Sequence, residues 1–163
     1  MTEWRALTDE EIVELASRLR SLDWSWQLDD AAQLASAFGW TVVMARGDWV
    51  MLDSGFGAGS AKLTGRDGQA GEIKVQVTDF ASDDEPEGSQ TRDAFAAMVA
   101  ALSGAFGEPT ARIPGAVPEV RWAGAETTLV LRDPGTTVEL YLMTNPWLAD
   151  HDAAIDLEEQ GLL

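Results

Sequence analysis

The sequence predicts an α+β fold: an antiparallel sheet of about six to seven strands with helices packed on one face. Three patterns carry this reading. Ile12, Leu15, Leu19 and Leu22 recur at helical spacing, as do Phe95, Met98, Val99, Leu102 and Phe106. The stretch from Glu72 to Asp79 alternates, with Ile73, Val75 and Val77 on one side and Lys74, Gln76 and Thr78 on the other. Such alternation belongs to a strand with one solvated face, which is the antiparallel habit. The other apolar runs are short and are separated by Gly, Asp and Pro turn residues.

Taken in order, the first helix starts at a capping box, Thr8 with Glu11, and Asp9 and Glu10 place negative charge on its first turn. Asp23-Trp24-Ser25-Trp26-Gln27 breaks the pattern. A shorter helix follows, capped by Asp29, presenting Leu34, Ala35 and Phe38, and stopped by Gly39. Trp40–Ala45 and Asp48–Asp53 flank Arg46-Gly47 and predict a hairpin. Gly55 to Gly59 reads as a flexible loop, Ser60–Thr64 as a weaker strand and Asp67-Gly68 as a turn before the alternating strand. Ser89 caps a long third helix that Gly107 ends, with Pro109 just beyond. A Pro-containing connection, Ile113 to Pro118, leads to strands at Glu119–Ala123, Thr127–Arg132 and Thr136–Met143. Asn145 caps a last helix with Pro146 at its first position. Leu34 to Gly39 and Leu102 to Gly107 end helices in the same way before a meander, so the outline admits two α-β-β-β halves sharing one sheet. A shared way of ending helices explains the same likeness without a repeat.

Length and composition fit one domain over residues 1–163, with 45% apolar and 24% charged residues. The charge is unusual: 28 Asp and Glu against 11 Lys and Arg give a formal net charge of -17. A chain this acidic lacks the Lys/Arg footprint that nucleic acid requires, and an anionic membrane surface repels it. No apolar run reaches the roughly 18 residues of a membrane span. Met-Thr-Glu-Trp-Arg at the start lacks the basic and then apolar pattern of a signal peptide, and the chain has no Cys. The expected location is cytoplasmic.

Chemistry-bearing motifs are sparse. Gly55-Phe56-Gly57-Ala58-Gly59 has Ser60 where the dinucleotide fingerprint needs its third Gly, and no helix pattern follows it. His151 with Asp152 and Asp156 resembles the start of a ligand cluster, but Ile155 holds the i+4 position and there is no second His. The acidic stretch from Asp79 to Glu87 lacks the order of an EF-hand loop. No Gly-x-Ser-x-Gly elbow is present, and no pair of carboxylates stands out as an acid and base. The expectation is a protein without a catalytic site, cofactor or metal.

The partner expected of such a chain is a basic protein. The last helix carries Asp150, Asp152, Asp156, Glu158 and Glu159 with no Lys or Arg from Asn145 onward. Acids near a helix C-terminus oppose its dipole by a few tenths of a kcal/mol each, so helix energetics does not explain them. Asp150, Asp152, Asp156 and Glu158, with Asp83, Asp84 and Glu85 of the acidic loop, form the candidate partner surface. Trp24 and Trp26 in the inter-helix segment are candidate aromatic anchors, core packing being their other reading.

Trp24-Ser25-Trp26, Phe38-Gly39-Trp40, Asp48-Trp49-Val50-Met51-Leu52-Asp53 and the run from Arg121-Trp122-Ala123-Gly124 to Leu131 resemble a family of small, acidic, uncharacterised actinobacterial proteins. The resemblance covers most of the chain and carries no catalytic motif. It implies likeness to immunity proteins encoded beside secreted toxins. The functional expectation is an acidic binding protein that occludes the active cleft of a basic toxin. A secretion-type chaperone or adaptor and a small-ligand-binding domain are the alternatives.

Overall fold

The computed structural model describes residues 4–81 and 89–161. It is an α+β fold built on one open antiparallel sheet of eight strands. Helix α1 (Asp9–Arg20) and helix α2 (Ala31–Phe38) precede β1 (Thr41–Arg46), β2 (Trp49–Asp53), β3 (Ala58–Arg66) and β4 (Gln69–Gln76). Helix α3 (Ser89–Phe106) precedes β5 (Ala111–Ile113), β6 (Glu119–Ala123), β7 (Thr127–Arg132) and β8 (Glu139–Thr144), and helix α4 (Asn145–Glu159) closes the chain. The strand order is β1-β2-β3-β4-β8-β7-β6-β5. Two four-stranded meanders therefore meet through their last strands, β4 and β8, and each follows its own helical segment. The sheet has one strand more than the upper sequence expectation. The extra strand is β5, hidden in sequence between Pro109 and Pro114, where three residues pair with β6.

The local signals act as the residues dictate. Thr8 Oγ1 accepts from Glu11 N and the Glu11 carboxylate accepts from Thr8 N at 2.9 Å, completing the capping box. Asp67 and Gly68 both have positive φ, as a two-residue hairpin turn requires. Two caps differ from expectation. A turn of 3₁₀ helix over Leu28–Asp30 leads into α2, whose N-cap Asp30 makes no side-chain bond to the helix because its carboxylate accepts from Ser25 Oγ at 2.6 Å. Thr144 caps α4 by accepting from Trp147 N, because Asn145 is committed elsewhere: it accepts from Thr128 Oγ1 and donates to Gly124 O and Ala125 O.

The main core lies between one face of the sheet and helices α1, α2 and α3. Ile12, Leu19, Leu34 and Leu102 bury themselves against Leu52, Leu63, Ile73, Leu129, Leu131, Leu140 and Leu142. Each such side chain contributes about 1.5–3 kcal/mol by leaving water. The expectation that all helices share that face is corrected here: α4 packs on the opposite face. Leu148 and Trp147 sit there on Val130, Tyr141 and Met143. The physical reason is in β7 and β8. Leu129-Val130-Leu131 and Leu140-Tyr141-Leu142-Met143 are buried without interruption, so these central strands need cover on both sides. The expected solvated side of β4 is corrected for the same chain segment, since Gln76 and Thr78 are buried.

Trp147 lies so close over β4 that a Cβ at Gly71 would overlap its indole ring. Gly71→Ala should lower the urea unfolding free energy by about 1–3 kcal/mol through overpacking. Trp147→Ala should cost less in that background than in the wild type, because the two residues share one contact.

Candidate functional site

Strand alternation sets the chemistry of the face that α4 covers. On β6, Val120 and Trp122 point into the main core, so Glu119 and Arg121 point to the α4 side. On β7, Leu129 and Leu131 point to the core, so Arg132 joins them. Glu119 is opposite Arg132 in the register. Four charged groups from three elements meet here. The Glu119 carboxylate accepts from Arg132 Nε at 2.6 Å and, through its other oxygen, from Arg121 Nε. Arg121 turns its remaining fork to α4, where Nη1 and Nη2 each donate to Asp152 at 2.8 Å. Arg132 Nη2 lies 3.2 Å from His151 Nε2, and its guanidinium stacks 4.7 Å from the Tyr141 ring centre. Tyr141 in turn donates to Glu139 at 2.8 Å, and Glu139 pairs with Lys74 at 3.0 Å. The result is a continuous polar line across the sheet beneath α4.

Electrostatics follows the geometry. The hydrogen bonds of Asp152 hold the Arg121 guanidinium protonated, raising its pKa, with Glu119 acting in the same sense. Burial acts to lower that of Arg132, but the hydrogen bond and charge of Glu119 outweigh it and the net shift is upward. Burial pushes the Tyr141 hydroxyl up, and the Glu139 carboxylate adds to this. The hydrogen bond from Arg121 holds Asp152 below its ordinary value.

Beside this network is a cleft of about 550 Å³ between the second half of α4 and the β5–β6 end of the sheet. Its walls combine the network with exposed apolar side chains, Ile113, Val117 and Ile155, and with the acids Asp156 and Glu159. The two arginines are already engaged by Glu119 and Asp152. The charge left for a guest is that of Asp156 and Glu159. The cleft therefore suits a cationic group on an aliphatic stem.

The sequence candidates fall in different places. Asp152 and Asp156 both line the cleft. Asp150 sits away from it, in an exposed pair with Arg66 at 3.5 Å. Glu158 is exposed on α4. Trp24 and Trp26 are half-buried against the main core, their ring centres 5.6 Å apart, and Trp24 Nε1 donates to Asp30 O at 3.0 Å. Asp83, Asp84 and Glu85 lie outside the described residues. His151, expected on the partly exposed side of the helix, is half-buried there beside Arg132. Glu119, Arg121 and Arg132 were not singled out from sequence. Their signal was available: charged residues alternate with Val120, Trp122 and Leu131 in strands that are otherwise buried. Among the described residues, no group of three or more His, Asp or Glu side chains is placed to hold a metal ion. No helix among them is long and apolar enough to cross a membrane.

A family model described as a family of unknown function (DUF6301) matches residues 10–144. That span takes in α1 to β8 and ends at the residue before α4. No curated protein and no solved structure matches the chain.

Two outcomes test the network. Glu119→Gln leaves the largely covered Arg132 without its carboxylate and Arg121 with Asp152 alone, and should cost about 3 kcal/mol in unfolding free energy. Asp152 has a depressed folded pKa, so its contribution is present above the unfolded value of about 3.9 and is lost as pH falls through the lower folded value. Acid titration of stability should accordingly be shallower in Asp152→Asn than in the wild type, with the difference confined to pH below about 4.

Proposed function

The chain belongs to DUF6301, a family of unknown function, and from the charge and shape of its surface we propose that it binds a cationic protein partner in the cleft under α4. One observation carries the reading. Arg121 and Arg132 are spent on Glu119 and Asp152, so the cleft offers Asp156 and Glu159 beside an apolar wall of Ile113, Val117 and Ile155. A Lys or Arg side chain meets both needs, its stem on the aliphatic wall and its charge at the acids. The net charge of -17 adds a long-range field that draws a basic partner and accelerates encounter.

The simplest setting for such a surface is immunity: the acidic helix covers the Lys/Arg-lined cleft of a basic toxin and keeps its substrate out. Helix α4 fits that role in shape. Only Leu148 of the helix is fully buried, and residues 153–159 are exposed along their whole length. The helix is rooted at its N-terminal half and free to meet a partner with the other. On this reading the protein acts by occlusion, without catalysis, in the cytoplasm where the toxin would otherwise act. An adaptor that escorts an extended basic segment is the second reading, favoured by the exposed apolar side chains in the cleft.

The test uses a folded basic toxin domain encoded beside the gene and, separately, an amphipathic peptide of alternating Leu and Arg. The double variant Asp156→Lys/Glu159→Lys should abolish protection of cells expressing the toxin while leaving the circular dichroism and melting temperature intact. Wild-type binding should weaken steeply as salt rises, mainly through a slower on-rate. Protection unchanged by the double charge reversal would refute the cleft as the site. Peptide binding without toxin binding would select the adaptor reading.

A further inference from the structure

The other end of the sheet carries an independent feature. All six residues of β1, Thr41–Arg46, are exposed, including Val42 at 40%, Val43 at 46% and Met44 at 45%. Strand β1 ends the sheet, and among the described residues no other strand pairs with its outer edge. A long apolar edge of this kind is one that folded proteins normally guard with Lys, Pro or a covering loop. The opposite edge has such guards, since β5 is only three residues long and lies between Pro109 and Pro114. Strand β1 has neither Pro nor Lys, and it contains no acid in a chain with 28 of them.

We propose that β1 is a self-association edge, where two copies of the chain pair antiparallel, β1 to β1, and continue one sheet through both. Unsatisfied backbone N–H and C=O groups on an edge select an extended strand as their occupant. Charge selects a second copy of this one. Pairing about a two-fold axis between Val43 and Met44 sets Arg46 opposite Thr41 of the other copy. Thr41 is itself paired with Asp53, and a bulge at Val43 keeps Thr41 and Arg46 on the same side of the sheet. The only charge on the strand thus comes within side-chain reach of Asp53 across the interface, twice by symmetry. The two acidic bodies meet along a strand that carries no acid. An edge interface is small, at or below about 1,200 Å² of total buried surface, so the dimer is a reversible one that forms in the micromolar range. Since β1 and β5 are at opposite ends of the sheet, both α4 clefts stay open and the dimer presents two binding sites.

Sedimentation velocity of the full chain, from low to high micromolar concentration, should show the mass doubling. Val43→Lys and Arg46→Glu should each leave a monomer of unchanged circular dichroism, while Val43→Thr should keep the dimer. The chain contains no Cys, so register is read directly. Mixing Val42→Cys with Ala45→Cys under oxidant should give a mixed disulfide in preference to either like pair. A wild type that stays monomeric at every concentration and salt overturns the proposal. A dimer that survives Val43→Lys, or random cross-linking, does the same. The outcome is separable from the cleft reading, because the β1 variants should retain salt-dependent binding of the Leu/Arg peptide.

Discussion

The position of α4, and with it the whole second face of the sheet, depends on how two half-buried arginines are neutralised. Glu119 occupies the space between Arg121 and Arg132 and takes one Nε from each. Removing a carboxylate from water is unfavourable, and the two guanidinium groups compensate by each donating an Nε–H to it. Arg121 then has a fork to spare, which only a carboxylate from above the sheet satisfies, and Asp152 supplies it. The helix is thereby fixed in rotation as well as in place. Leu148 and Trp147 give it adhesion, since apolar burial is non-directional, while the Arg121–Asp152 fork gives it an orientation. That orientation turns Asp156 and Glu159, one and two turns on, toward the same cleft.

The same arrangement explains where the net charge resides. Several of the cations lie on the α4 side of the sheet and are engaged there. Arg121 and Arg132 serve Glu119, Lys74 serves Glu139, and Arg66 both stacks on Trp147 and reaches Asp150. Lys62 and Lys74, the two lysines of the chain, are even direct cross-strand neighbours. Like charges so placed are unfavourable by a few tenths of a kcal/mol. The pair is relieved by Glu139 on one side and the Trp49 ring on the other. Every base spent internally removes a partner that a surface acid would otherwise have. The excess of acids is set by the sequence, 28 against 11, and is expressed on α4 and on the outside of the molecule.

Much of the fold was legible because it rests on local rules. The Thr8–Glu11 box, Gly39 and Gly107 as helix stops, and the Asp67-Gly68 turn act on their neighbours alone, and their residue types declare it. The antiparallel habit was legible from Ile73, Val75 and Val77. What escaped was set by partners distant in sequence. Helix α4 has little amphipathic pattern because only Leu148 is fully buried, so its side of the sheet had to be read from β7 and β8. Those strands declare it: Val130, Tyr141 and Met143 are apolar at positions that a one-sided sheet leaves polar. Strand β5 was hidden because three residues between prolines carry no period. Within the site, Asp152 and Asp156 were found as surplus charge, whereas Glu119 was not, since a Glu next to Pro118 reads as a strand end until Arg121 and Arg132 are seen to flank it.

The two ends of the sheet then differ in a way that follows from its topology. Two meanders joined through β4 and β8 place the first strand of each at an outer edge. If the halves were equivalent, both edges would be equally open. They are not, because α4 belongs to only one half. It covers β8 and β7, reaches out beside β5, and turns that edge into the wall of an acidic cleft. The first meander has no such helix, and β1 stays exposed along its length. A single appended helix is thus sufficient to convert a symmetric outline into one molecule with a charged end and an apolar end, and the two ends are suited to different kinds of contact.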